Sequence, residues 1–172
     1  MSSSPVLLLA TCLALASFAA ASEPERRAIA VLFGAARGNV TLVESGGVTK
    51  ISGVVEGLTP GKHGFHIHEK GDVSMGCAST LGHYNPFKKQ HGAPTDENRH
   101  VGDLGNIEAD SRGIASFTMT DKWVQLSGAY SVVGRAIVIH SDEDDLGKGG
   151  HPDSLTTGHA GSRVACGVIG TL

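Results

Sequence analysis

An all-β fold, with eight short antiparallel strands arranged as a barrel or sandwich, is predicted by three observations. Glycine supplies 24 of the 172 residues and aromatics only 5%. Each helix-interior glycine costs about 1 kcal/mol relative to alanine, so this composition suits turns and bulges instead. The apolar stretches are short, rich in Val and Ile and often alternating, as half-buried strands are. Clusters of Gly, Asp, Ser and Asn bound them.

Taken in order, the predicted strands cover residues 28–33, 40–43, 48–55, 65–68, 106–109, 114–118, 136–139 and 164–169. Residues 34–38, Ser45-Gly46-Gly47 and Asp110-Ser111-Arg112-Gly113 carry hairpin-turn chemistry. Two long segments, residues 69–102 and 141–163, break the rhythm. Loops of that length in a compact domain are usually functional. No internal repeat or linker is visible, so one domain is expected.

The first residues are a different kind of sequence. Residues 1–22 hold no charged side chain, and residues 6–21 are Val, Leu, Ala, Phe, Thr, Cys and Ser. This apolar run is short for a transmembrane helix, which needs about 20 such residues. It leads into Ala19-Ala20-Ala21-Ser22 and then the polar Glu23-Pro24-Glu25-Arg26-Arg27. That order reads as a secretory signal peptide over residues 1–22, removed to leave the domain at 23–172, with an uncleaved anchor as the alternative. Export makes the product extracellular and leaves it no membrane attachment. Cys12 would go with the leader, leaving Cys77 and Cys166 as one disulfide or as two buried thiols. Asn39-Val40-Thr41 becomes an N-glycosylation sequon in the same compartment.

Lys and Arg number 14 against 17 Asp and Glu, a net charge of −3. Nothing in that balance suggests nucleic acid as a partner. Nine histidines are the unusual component, and they crowd into or beside the two long segments. His66 and His68 are two apart on a predicted strand, so both rings project from one face. Alone, that pair reads better as two surface or hydrogen-bonded histidines. His83, His91 and His100 follow within the first long segment and Asp103 just beyond its end, three imidazoles and a carboxylate. Such a set suits tetrahedral zinc with no position left for water, a structural site; scattered polar loop residues are the alternative. His140 ends a strand just before the second long segment, and with His66 and His68 it makes an all-imidazole set that suits copper(II). Asp142, Glu143, Asp144 and Asp145 come next, and one of them can accept the free ring N–H of a ligating histidine.

From His63 onward the chain resembles the copper–zinc superoxide dismutase family. The residues that carry the likeness are His63-Gly64-Phe65-His66-Ile67-His68-Glu69, Arg99-His100-Val101-Gly102-Asp103-Leu104-Gly105-Asn106, Asp144-Asp145-Leu146-Gly147-Lys148-Gly149-Gly150 and 161–170, Gly-Ser-Arg-Val-Ala-Cys-Gly-Val-Ile-Gly. The resemblance implies an eight-stranded antiparallel Greek-key β-barrel, an immunoglobulin-like sandwich in its packing. It implies copper on His66, His68, His83 and His140, and zinc on His83, His91, His100 and Asp103, one ion of each per subunit. His83 is then the shared, bridging imidazolate, and it keeps the site's total charge constant if it takes up a proton as copper takes up an electron. Asp144 falls at the link between the two sites, Cys77 and Cys166 at the disulfide, and Arg163 at the channel mouth. The implied reaction is dismutation of superoxide to O₂ and H₂O₂, an antioxidant activity, by a homodimer. A secreted, non-catalytic copper- and zinc-binding protein on the same scaffold is the alternative. Relatives of that kind lose copper ligands or the arginine, and here all are present.

The chain also departs from the family. His63, at odd spacing from His66, is expected to face away as a hydrogen-bonded structural residue. His151 and His159 are expected to be exposed. Pro152-Asp153 and Thr156 stand where familiar members carry an acidic pair and a lysine, which alters steering. Thr157 matches the channel-lining threonine, and Lys148 adds positive field. Lys70 occupies the usual apolar or aromatic position at the dimer contact, where an unpaired buried lysine would be costly.

Overall fold

The computed structural model describes residues 24–172; the predicted leader, with Cys12, lies outside the described residues. Nine strands form: β1 Arg26–Gly34, β2 Arg37–Ser45, β3 Val48–Glu56, β4 Gly61–His68, β5 Ser74–Cys77, β6 Asp103–Ala109, β7 Ile114–Asp121, β8 Ala136–His140 and β9 Arg163–Thr171. Eight make one antiparallel sheet in the order β6-β4-β8-β9-β1-β2-β3-β7. Its edge strands β6 and β7 are joined by the turn at Asp110, where Asp110 N–H donates to Ile114 O at 3.0 Å, so the sheet curls into a nearly closed barrel. The connections β3 to β4 and β7 to β8 run between strands that are not neighbours, as in a Greek key. Every predicted strand is present, lengthened at its ends. Three short pieces were not predicted: β5, the single 3-10 turn at Ala78–Thr80, and the one-turn helix α1 Ser154–Thr157.

Alternation decides what fills the barrel. Phe65 and Ile67 of β4, Ile137 and Ile139 of β8, and Leu42, Ile51, Ile107 and Ile169 point inward and are almost wholly buried. Phe65 stacks edge-to-face on Phe117 of β7, with centroids 5.1 Å apart. On the opposite face of β4 stand His66 and His68, paired with Val138 and Ala136 of β8. These positions are outside the barrel, yet both histidines are buried. The two long segments cover them, so the loops form a second, polar core on the barrel's outer wall. Gly64 permits this: a Cβ there would lie 2.8 Å from Ala160 Cβ and 3.1 Å from the His66 ring.

Cys77 and Cys166 form a disulfide that ties β5 to β9 across 89 positions. Its predicted removal effect is large, because long closed loops carry more chain entropy. Cys166→Ser is expected to cost about 4–5 kcal/mol on the chain-entropy account. Melting of the metal-free protein checks this, and a drop of about 10 °C or more is expected for a domain of this size. Asn39 is exposed on β2, between Val31 of β1 and Val54 of β3.

Candidate metal centre

Two clusters of buried ligand-type side chains sit under the loops, His66 with His68, His83 and His140, and His83 with His91, His100 and Asp103. In each cluster the candidate ligand atoms lie within 4.8 Å of one another. All the ring positions expected from the sequence are therefore brought together, and His83 belongs to both groups.

Outer acceptors aim five of the six rings. His68 Nδ1 donates to Leu81 O at 2.7 Å, and His140 Nδ1 to Gly161 O at 3.3 Å. His100 Nε2 donates to Lys89 O at 3.0 Å. Asp144 takes two rings, His66 Nε2 at 2.7 Å on one oxygen and His91 Nε2 at 2.8 Å on the other. A carbonyl or carboxylate oxygen only accepts, so each contact fixes a proton on the outward nitrogen and turns the other nitrogen inward, toward the cluster. His83 is the exception. Its Nδ1 lies 2.7 Å from Asp103 Oδ1, while its Nε2 is buried and has no hydrogen-bond partner among the described residues. Both of its nitrogens therefore face clusters, which is the arrangement a bridging imidazolate needs.

The second cluster converges on one oxygen. Asp103 Oδ1 lies 2.7 Å from His83 Nδ1, 3.0 Å from His91 Nδ1 and 3.1 Å from His100 Nδ1. Asp103 Oδ2 is occupied by the backbone N–H groups of His100 and Gly92, at 2.8 and 3.2 Å. The carboxylate thus offers a single oxygen. Three imidazoles and one oxygen, all buried, fit a closed tetrahedral zinc site. Four imidazoles fit copper. The orphaned nitrogens His66 Nδ1 and His83 Nε2 support that fit, since a buried nitrogen left unpaired costs free energy that a metal bond offsets.

Asp144 is wholly buried and locked by its neighbours. Asn106 binds its backbone on both sides, at 2.8 and 2.9 Å, and Leu146 N–H donates to Oδ1 at 2.7 Å. Gly158, at φ +67°, leaves room for the link: a Cβ there would come within 2.1 Å of Asp144 Oδ1 and 2.6 Å of His91 Nε2. Sequence reasoning identified Asp144 but not Gly64 or Gly158, which show only as close approaches in space.

Burial, then the neighbouring imidazoles, hold His66 and His68 well below the ordinary imidazole pKa of 6.5. Burial and His83 lower His140 to about 4. Burial also lowers His83, partly offset by Asp103. His91 is different: burial alone would lower it, but Asp103 and Asp144 together raise it to about 9. Burial alone would raise Asp103, yet His100, His83 and His91 hold it far below the carboxylate range.

These shifts set the acid response of the metal-free protein. Unfolded imidazoles take up protons near pH 6.5, while the four depressed rings stay neutral, so unfolding consumes protons and stability falls as pH drops below 6.5. The His140 contribution is fully lost only below about pH 4. His91 acts oppositely: its contribution is full below pH 6.5 and is lost as pH rises through about 9. Four rings outweigh one, so the melting temperature in chelator is expected to fall steadily below pH 6.5. A flat profile from pH 6.5 to 4 would contradict the assignment.

A cavity of about 310 Å³ opens from the four-imidazole cluster to solvent, lined by His68, His83, His140, Thr157, His159 and Arg163 among others. The Arg163 guanidinium is fixed by Cys77 O at 2.7 Å, Ala78 O at 3.1 Å and Thr80 Oγ1 at 3.2 Å. Its described partners are neutral oxygens, so its charge stays available. His63 does face away, buried, with its ring bonded to His140 O and Thr59 O, both at 2.8 Å. His151 and His159 are exposed as expected, and their rings stack at 3.8 Å. Asp153 holds His159 Nδ1 at 2.7 Å.

Comparison with known proteins agrees with this geometry. The chain is 56% identical over 135 residues to a protein of Caenorhabditis elegans named extracellular superoxide dismutase [Cu-Zn], a match taking in 78% of this chain. It spans 61% of that relative's length. The crystal structure of the clock protein EA4 superposes with a TM-score of 0.82 at 52% identity, over 85% of this chain and 94% of that one. The profile described as copper/zinc superoxide dismutase matches residues 36–169, which include both clusters, the disulfide and Arg163. On that match and this geometry, the chain belongs to the copper/zinc superoxide dismutase family.

Proposed function

We propose that the protein is an extracellular superoxide dismutase, converting two superoxide anions and two protons into O₂ and H₂O₂. The observation that carries this reading is His83, the one ring with both nitrogens turned toward ligand clusters. His66, His68, His83 and His140 would hold copper, and His83, His91, His100 and Asp103 zinc. When bound, copper supplies a one-electron couple that is alternately reduced and reoxidised by successive superoxides, and zinc supplies a fixed positive charge.

The chain's own groups do the rest. Arg163 draws the anion into the cavity and hydrogen-bonds it there. The anchors on Cys77 and Ala78 keep its side chain from folding away. His83 Nε2 is the atom that holds and releases one proton beside the cavity, and solvent supplies the other. With a net charge of −3, attraction must be local to this funnel. A non-catalytic metal-binding role on the same scaffold finds no support here, since the four imidazoles and Arg163 are all in place.

Residues 1–22 would be the secretory leader and 23–172 the mature domain, a reading supported by the relative's extracellular name. Among the described residues no helix is long and apolar enough to cross a membrane. Asn39, exposed in its sequon, would carry the glycan, read out as added mass that an N-glycosidase removes. The family likeness also carries a homodimer. Lys70 is exposed and 3.7 Å from Glu69 of its own chain, which lowers the cost of placing it at the contact. Sedimentation of the mature chain decides this.

Superoxide consumption by the metal-loaded chain, measured across an ionic-strength series, tests the activity. Turnover that falls as salt rises is expected, because steering is screened. Arg163→Ile is expected to lower kcat/KM about tenfold or more and to flatten that salt dependence. Full metal loading without superoxide consumption would overturn the reading.

A further inference from the structure

A second cleft lies outside the metal clusters, between the first long segment and the connection of residues 122–135. Its volume is about 430 Å³, and Phe87, Lys89, Lys122, Trp123, Gln125 and Tyr130 line it. Three aromatic rings meet there: Trp123 is partly buried against the barrel core, and Phe87 and Tyr130 extend from it into solvent. Phe87 and Tyr130 are 4.7 Å apart, and Phe87 stands edge-on to Trp123 at 6.2 Å. Phe87 and Tyr130 remain 45% and 43% exposed. Keeping that much aromatic surface in water is unfavourable, and a flat apolar ligand would relieve the cost.

The cleft is preformed by its supports. Asp121 Oδ1 accepts the backbone N–H of Trp123 at 2.6 Å, and Arg99 packs 5.2 Å from the indole. On the other wall, Lys89 is held by Asn85 through both its N–H and its carbonyl, at 3.0 and 2.8 Å. Its ammonium sits 4.2 Å over the Trp123 ring. Lys122 is exposed at the rim, and its ammonium has no ion pair or hydrogen bond among the described residues. No carboxylate lines the cleft. Rings inside and unneutralised positive charge at the rim define the complementary ligand as a flat ring system bearing an acid.

We propose that this cleft binds a planar aromatic carboxylate, its ring packed against the exposed faces of Phe87, Tyr130 and Trp123 and its carboxylate on Lys122. The cleft lies outside both ligand clusters, and its Lys89 wall also carries the carbonyl that aims His100. A two-ring acid fits the volume, and the hydrogen-bonding edge of Gln125 borders the same space.

The chain has one tryptophan, so its single indole N–H resonance reports on this cleft alone. The mature, metal-loaded protein, isotope-labelled and with copper kept cuprous, is titrated with 2-naphthoate to about 10 mM. A saturable shift of that resonance is expected, with a Kd of about 0.1–1 mM. The uncharged 2-naphthylmethanol is expected to bind about threefold or more weakly, as one exposed ion pair allows. Lys122→Ala should remove that preference for the acid. Phe87→Ala should weaken both probes by about fivefold, and Tyr130→Ala serves the same purpose if Phe87→Ala does not fold. A shift that never saturates, equal affinity for acid and alcohol, or a preference that survives Lys122→Ala would overturn the proposal.

Discussion

Replacing His140 with alanine is expected to abolish copper binding and superoxide turnover together while zinc stays bound. His140 Nε2 lies 3.3 Å from His68 Nε2, and its ring is aimed by Gly161 O at 3.3 Å. It takes no part in the second cluster. The backbone carbonyl of residue 140, which receives His63, survives the change, so the fold around it is kept. Loss of an outer acceptor alone costs about 10–100-fold in metal affinity, and loss of a ligand should exceed that. Metal analysis after dialysis against a copper chelator, paired with superoxide consumption, reads both effects. One copper per chain retained in the variant would show that the four-imidazole cluster is not the copper site.

Asp144→Ala is expected to weaken both metals at once. The carboxylate is the shared outer acceptor for His66 in one cluster and His91 in the other. Without it neither ring has its tautomer or orientation fixed, and two buried N–H groups lose their partner. A fall of about 10–100-fold in the affinity of each site is the expected size, read by competition with chelators at fixed pH. The contrast with His140→Ala is the informative part. One variant separates the metals, and the other couples them. If Asp144→Ala lowered copper affinity alone, the link between the clusters would not run through this residue. Asp144→Asn should be intermediate, since one amide end still accepts and the other donates toward a ring N–H.

The site's ingredients were legible because ligand chemistry is confined to few residue types. His66 and His68 share a face by strand period alone, and that face is the one the structure shows outside the barrel. His63, three positions from His66, turned away as odd spacing requires. The eight main strands were legible from short alternating runs and turn residues. The short β5, the single turn at Ser154–Thr157 and the aromatic cleft were not. The cleft joins Phe87 to Trp123 and Tyr130, whose separation along the chain hides the contact. Backbone carbonyls were invisible for another reason, since every residue carries one and none marks its position.

By itself, then, the sequence determined the barrel and the set of candidate ligands, because those depend on local periodicity and side-chain type. Only the tertiary structure decided which nitrogen of each ring is free. The outward acceptors are Leu81 O, Lys89 O, Gly161 O and the buried Asp144, brought to the rings by loops folded over the barrel wall. Protonation follows those contacts, so His83, which has none of them, is the ring left open on both sides.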